Sequence, residues 1–270
     1  MFALPLSMLL AACGSSSSGT STNGDGGASS STGDSQASSG SGGSGGGETT
    51  STGTGASTSS SSGTGGGGSS CTSARNEALA PIDTVSTGAV KTISTSGSTL
   101  TLYVDASAGG IDAEAQNPWI YLSLKTGTAV AVDDTASLSS TAWDLGIKRP
   151  ILRTNGGDGG PGMGGAVLND KAFDALTAAD AASSTIAVEH WFDAQCDLQT
   201  DQTGAIATTF ENWYDYDLDT NTLTPFPGTW IVKGGDGALY KLAILDYYAN
   251  PDGTSGTTSG RYKLEVAPLQ

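Results

Sequence analysis

The residues able to do chemistry are few and scattered. The sequence holds one histidine, His190, within Val188-Glu189-His190-Trp191, and no Ser or Cys nucleophile motif accompanies it. Acid–base and nucleophilic catalysis need a base and a nucleophile within hydrogen-bond reach, so this supply reads against an enzyme. The imidazole fits two roles, a partly buried strand histidine or a metal ligand. Asp215, Asp217, Asp219 and Asn221 place oxygen side chains at alternate positions, as calcium loops do. Thr220 stands where such a loop needs glycine and Phe226 where it needs glutamate. An acidic turn between two strands explains the same run. The glycine-rich stretch from Asn155 to Gly165 suggests a phosphate loop, but it lacks a terminal Lys-Ser/Thr pair and leads into no βαβ helix.

The three cysteines belong to export chemistry. Met1–Ala12 is an apolar run, too short for a stable membrane span and suited to a signal core. It ends in Leu10-Ala11-Ala12-Cys13-Gly14, which resembles a lipobox. Residues 1–13 therefore read as a lipoprotein signal, with Cys13 diacylated and inserted in the lipid bilayer. No Lys or Arg precedes the apolar run, a departure from the usual signal that a start assigned too far downstream would explain. Gly14 rather than Asp after the cysteine points to the outer membrane or cell surface. Cys71 and Cys196 then form an even pair in an oxidising compartment, which favours a disulfide over two free buried thiols. A zinc site built on them lacks neighbouring ligands.

Residues 14–70 contain 21 Ser, 19 Gly and 9 Thr. So little apolar surface cannot offset the entropy of ordering a chain, and the segment reads as a disordered tether. Its r.m.s. reach is about 40 Å. Residues 71–270 carry all five Trp, all eight Tyr and every Lys and Arg, enough for one domain. The net charge of −16 repels phosphate backbones and anionic headgroups, which excludes a nucleic-acid binder and a basic membrane surface.

Period-two alternation predicts strands over 99–105, 119–124, 128–133, 143–149, 151–153, 186–191, 229–233, 239–245 and 261–266. Short glycine-containing loops at 125–127 and 234–237 predict hairpins. Only 171–182 reads as a helix. The class is mainly β, a single antiparallel domain with one short helix.

One pattern is more specific. Val104-Asp105-Ala106-Ser107, Trp119-Ile120-Tyr121-Leu122-Ser123, Trp143-Asp144-Leu145 with Arg149, and Arg153-Thr154-Asn155-Gly156-Gly157 occur in sequence. They are followed by Gly162-Met163-Gly164-Gly165-Ala166, Trp230-Ile231-Val232-Lys233, Asp236-Gly237, Tyr240-Lys241-Leu242, Leu245-Asp246-Tyr247-Tyr248 and Arg261-Tyr262. This set resembles the HmuY family of lipid-anchored haem-binding proteins. The resemblance implies an all-β fold, a surface location, and non-covalent capture of haem or another porphyrin between loops for iron acquisition. It implies two axial ligands, His or Met, from the stretch between the glycine loop and the last strands. His190 is the first candidate, with Tyr214, Tyr216 or Met163 opposite. A bis-His or bis-Met pair within one chain is excluded by count, since Met1 and Met8 lie in the signal. The matching Trp119 and Trp143 are expected in the core, and Arg149 and Arg153 beside acids such as Asp144 or Asp246. A fold that has kept this framework without the porphyrin would be a surface interaction or structural module.

Overall fold

The computed structural model describes residues 71–201 and 204–270. Cys13, the signal and the Ser/Gly segment lie outside the described residues. Among the described residues twelve strands follow one another: β1 (Val90–Ser96), β2 (Thr99–Asp105), β3 (Ile120–Ser123), β4 (Thr128–Ala129), β5 (Leu145–Lys148) and β6 (Ile151–Thr154). The second half holds β7 (Gly165–Asn169), β8 (Tyr214–Asp217), β9 (Thr222–Pro225), β10 (Thr229–Lys233), β11 (Leu239–Asp246) and β12 (Arg261–Pro268). Three short helices accompany them: α1 (Thr72–Leu79), α2 (Asp134–Ser137) and α3 (Ala178–Ser183). None of the described helices is long and apolar enough to cross a membrane.

The strands form a six-stranded sheet in the order β1-β2-β12-β11-β10-β7 and a four-stranded sheet in the order β4-β3-β5-β6. Every pairing is antiparallel. β8 and β9 form a separate hairpin. Alternation builds the core between the two sheets. Leu102 and Val104 of β2, Leu242 of β11 and Leu264 and Val266 of β12 meet Ile120, Leu122, Leu145, Ile147 and Leu152 of the smaller sheet. Each such buried aliphatic side chain contributes roughly 1.5–3 kcal/mol.

The smaller sheet is buried on its other face as well. Tyr121 and Arg153 point away from the shared core, and Trp119, Trp143, Trp191 and Phe192 pack there with Cys71 and Leu79. A disulfide joins Cys71, where α1 begins, to Cys196 in the segment after Trp191.

Three sequence expectations need correction. The helix over 171–182 is broken into a 3-10 turn at Phe173–Ala175 and α3. Thr177 and Asp180 form a capping box that starts the helix afresh, and Leu176 buries beside Ile231 on the large sheet. The strand over 128–133 stops at Ala129, because Asp133 caps α2 through the Ala136 N–H. The strand over 186–191 makes only one isolated bridge, Ala187 to Ala166. Beyond it, the Glu189 and Trp191 carbonyls accept single backbone N–H groups, from Asp158 and Gln199, and side chains make the other bonds.

Candidate functional site

The glycine loop connects β6 to β7 and folds back on itself. A Cβ at Gly156 would stand 2.1 Å from the Gly164 carbonyl oxygen. Gly157 has φ +57, and a Cβ there would stand 2.1 Å from the Glu189 carbonyl oxygen. Only glycine allows this left-handed turn and this approach of two backbones. Asn155 locks the loop: its amide nitrogen donates to the Trp143 and Ser140 carbonyls, and its oxygen accepts from the Gly162 N–H.

Against this loop lies the segment carrying His190. Its side chains alternate: Val188 and His190 are exposed, Glu189 and Trp191 buried. Glu189 is 1% exposed. Its carboxylate accepts from the Thr154 N–H at 2.7 Å and hydroxyl at 3.0 Å, and from the Thr209 N–H at 2.9 Å and hydroxyl at 2.8 Å. A fifth bond comes from the Trp191 indole N–H at 3.0 Å. Burial pushes the Glu189 carboxyl above its usual range, with these donors pulling the other way. Asp158, on the glycine loop, donates its N–H to the Glu189 carbonyl and accepts the Trp191 N–H.

His190 is therefore an exposed loop histidine rather than a partly buried strand residue. Met163 is 51% exposed and its N–H bonds the Gly235 carbonyl. Its thioether lies over Gly237, where a Cβ would meet the methyl at 2.6 Å. Met163 thus sits on the glycine loop and His190 on the segment packed against it. Tyr214 and Tyr216 do not. The Tyr214 ring packs on Trp213 at 4.8 Å, and the Trp213 indole N–H donates to the Pro150 carbonyl, just before β6. Glu189 bonds Thr154 at the far end of β6, about 13 Å along a four-residue extended run. Burial first, and the Asp201 charge next, raise the Tyr214 phenol above its usual range. Tyr216 is 43% exposed and its hydroxyl donates to the Asn221 side chain. Among the described residues no hydrogen bond or ring contact joins His190 to Met163, Tyr214 or Tyr216.

The acidic run forms the β8–β9 turn. Asp217 accepts from the Asp219 and Thr220 N–H groups, which closes the turn, and the Thr220 side chain first, then these N–H groups, lower its pKa. Among the described residues no three His, Cys, Asp or Glu side chains gather as metal ligands would, Asp215, Asp217 and Asp219 included.

The expected partners of the two arginines are corrected. Arg149 pairs with Glu114 at 2.7 Å. Arg153 is 1% exposed and meets no carboxylate at ion-pair distance among the described residues. It lies 4.9 Å from the Trp119 ring centroid, 5.0 Å from Trp143, 5.5 Å from Tyr121 and 5.9 Å from Trp191. Asp144 instead accepts the Leu124 and Gly235 N–H groups, and Asp246 the Tyr248 N–H and the Ser255 hydroxyl. Trp119 and Trp143 are buried, as expected.

Two concavities stand apart from His190. An apolar groove of about 380 Å³ runs between Phe173 and the Pro225–Pro227 segment, and a polar one of about 130 Å³ lies beside Asp105 and Asn117.

The profile of the HmuY family, described as HmuY protein, matches residues 115–262. The chain belongs to the HmuY family. Solved structures similar to this HmuY-family chain include a Bacteroides fragilis protein described as a lipoprotein, with 18% identity and a TM-score of 0.42; 67% of this chain and 95% of that one are covered. Another is described as an HmuY-like haem-binding protein from Bacteroides vulgatus, with 17% identity and a TM-score of 0.42 over 66% of this chain and 97% of the other. A third is the apo HmuY analog of Tannerella forsythia, with 15% identity and a TM-score of 0.40 over 68% and 98%. No curated protein matches the chain.

Sequence reasoning passed over Glu189 and Asp158 within this HmuY framework. A signal for Glu189 was present: Trp191 is a natural core residue, and position 189 shares its face at period two.

Proposed function

We propose that this HmuY-family chain is an exported lipoprotein, anchored through Cys13 at the outer membrane. It binds haem or a related porphyrin non-covalently for iron acquisition. The carrying observation is the displayed imidazole of His190, held in solvent between two buried residues on a fixed loop. Imidazole and thioether are donors that haem iron accepts, so the residues present fit the group. His190 supplies one axial ligand. Met163 is the better-supported partner, because it sits on the glycine loop that packs against the His190 segment, whereas the Tyr214 ring packs on Trp213, whose indole bonds Pro150 before β6, and the Tyr216 hydroxyl bonds Asn221. Bound haem iron supplies the nutrient; the chain's own residues hold the macrocycle and keep it reversible by avoiding covalent attachment.

The test is an absorption titration of hemin into the full chain. Binding gives a Soret band that shifts and saturates near one equivalent. A band unchanged from free hemin removes the reading.

One observation favours a second reading, a surface interaction module without porphyrin. His190 lines neither of the two concavities described above, so a macrocycle would rest on an open face. In that case hemin leaves the spectrum unchanged while the fold stays intact.

A further inference from the structure

We propose that Glu189 and Asp158 are positioning residues that hold His190 ready for a ligand on its exposed side. This rests on the reading of His190 as an axial ligand. The geometry concerns the two peptide groups that flank His190. The carbonyl of Glu189 belongs to the peptide before it and accepts the Asp158 N–H at 3.0 Å. The N–H of Trp191 belongs to the peptide after it and donates to the Asp158 carboxylate at 2.7 Å. Both torsions of the His190 backbone therefore lie between anchored planes, and only its side-chain torsions remain free.

The Glu189 side chain makes this arrangement rigid. Its five hydrogen bonds fasten three pieces of chain together: the end of β6 through Thr154, the segment around Thr209, and the Trp191 indole. Burying a carboxylate is costly unless its oxygens are satisfied, and an apolar side chain of the same size would fill the space at less cost. What the carboxylate adds is fixed geometry. Gly157 completes the device, because its left-handed turn lets the glycine loop reach the Glu189 backbone. A ligand whose own backbone is already ordered loses less entropy on binding, and residues behind a ligand commonly set affinity by 10–100-fold, to order of magnitude.

The sole histidine makes the test clean, because the full chain gives one set of imidazole resonances. Asp158→Ala and Glu189→Gln are compared with the native chain and with Ile244→Val, which weakens the shared core on β11. The readouts are the His190 imidazole resonances without hemin, the hemin affinity and the melting midpoint. Positioning predicts that either carboxylate variant broadens or doubles the His190 signals and weakens hemin binding about tenfold or more. Ile244→Val should lower the midpoint and leave both other readouts alone. If Glu189→Gln fails to fold, Asp158→Ala, which removes the single acceptor of the Trp191 N–H, carries the test. Unchanged His190 signals in the variants, or equal changes in Ile244→Val, overturn the proposal. If the native chain binds no hemin, the ligand reading falls, and positioning is then decided by the resonances alone.

Discussion

The Arg153 guanidinium donates to the Tyr121 hydroxyl at 2.7 Å, and that hydroxyl donates in turn to Asp134 at 2.9 Å. A buried cation is thus joined to a buried carboxylate through a phenol, inside a box of aromatic rings. Burial raises the Tyr121 phenol to about 12, so it stays a donor. Arg153 also donates to the Gly159 carbonyl at 2.5 Å, which ties the box to the glycine loop.

Arg153→Lys should not restore what Arg153→Leu removes. An ammonium cannot reach Tyr121 and Gly159 together, and it is more strongly hydrated than a guanidinium. Lysine should cost about 3 kcal/mol or more. Urea denaturation of both variants checks this; a lysine variant of native stability would contradict it.

Cys71 and Cys196 close a loop with a sequence separation of 125. Chain entropy assigns such a cross-link roughly 4–5 kcal/mol. The denaturation midpoint of the native chain should fall on adding a dithiol reductant, and that of Cys71→Ser with Cys196→Ser should match the reduced value. Reduction should first loosen α1, which buries only Leu79 among its own residues, so early protease cutting is expected near it.

Stability should fall as pH rises above about 4.5. Burial raises the carboxyls of Glu189, Asp134 and Asp144 above their ordinary values of 4.5 and 3.8. The folded chain then holds protons that the unfolded chain has released, and this advantage disappears as pH passes each folded value. Asp180 acts oppositely. Hydrogen bonds from Lys171 first, then Thr177, hold it at about 2, so its contribution is present above 3.8 and lost as pH falls towards 2. Melting midpoints between pH 4.5 and 8, taken in added salt to screen the net charge of −16, should decline. Glu189→Gln should flatten the decline.

Gly156→Ala should destabilise by about 3 kcal/mol or prevent folding, because the new methyl meets backbone that cannot move aside. Gly97 has φ +59, but nothing lies within 4 Å of a Cβ there. Gly97→Ala should cost about 1 kcal/mol. Comparable losses for both would show that the glycine loop is not tightly packed.

The sheet framework was legible because burial and alternation coincide. β2 and β10 begin and end where their patterns do, and β11 and β12 run one and two residues further. β1 was not legible: it is a polar edge strand with one exposed face after another, so it carries no apolar rhythm. The 186–191 segment shows the converse. Its alternation is real, but the Glu189 and Asp158 side chains and single backbone bonds satisfy it in place of a ladder, and a one-dimensional pattern cannot tell the two apart. The partner of Arg153 was hidden for a similar reason. Charge suggested an acid, while the neighbours brought by folding are four aromatic rings from distant positions. His190 could be found by type, yet its exposure depended on which side of Trp191 faced the sheet.

The most direct measurement follows the imidazole resonances of the single histidine as hemin is added to the full chain, with a diamagnetic gallium porphyrin as control. Ligation by His190 predicts that ferric hemin shifts or broadens those signals beyond detection by one equivalent, while the gallium complex moves them without erasing them. Hemin that binds yet leaves the His190 signals in place would contradict it.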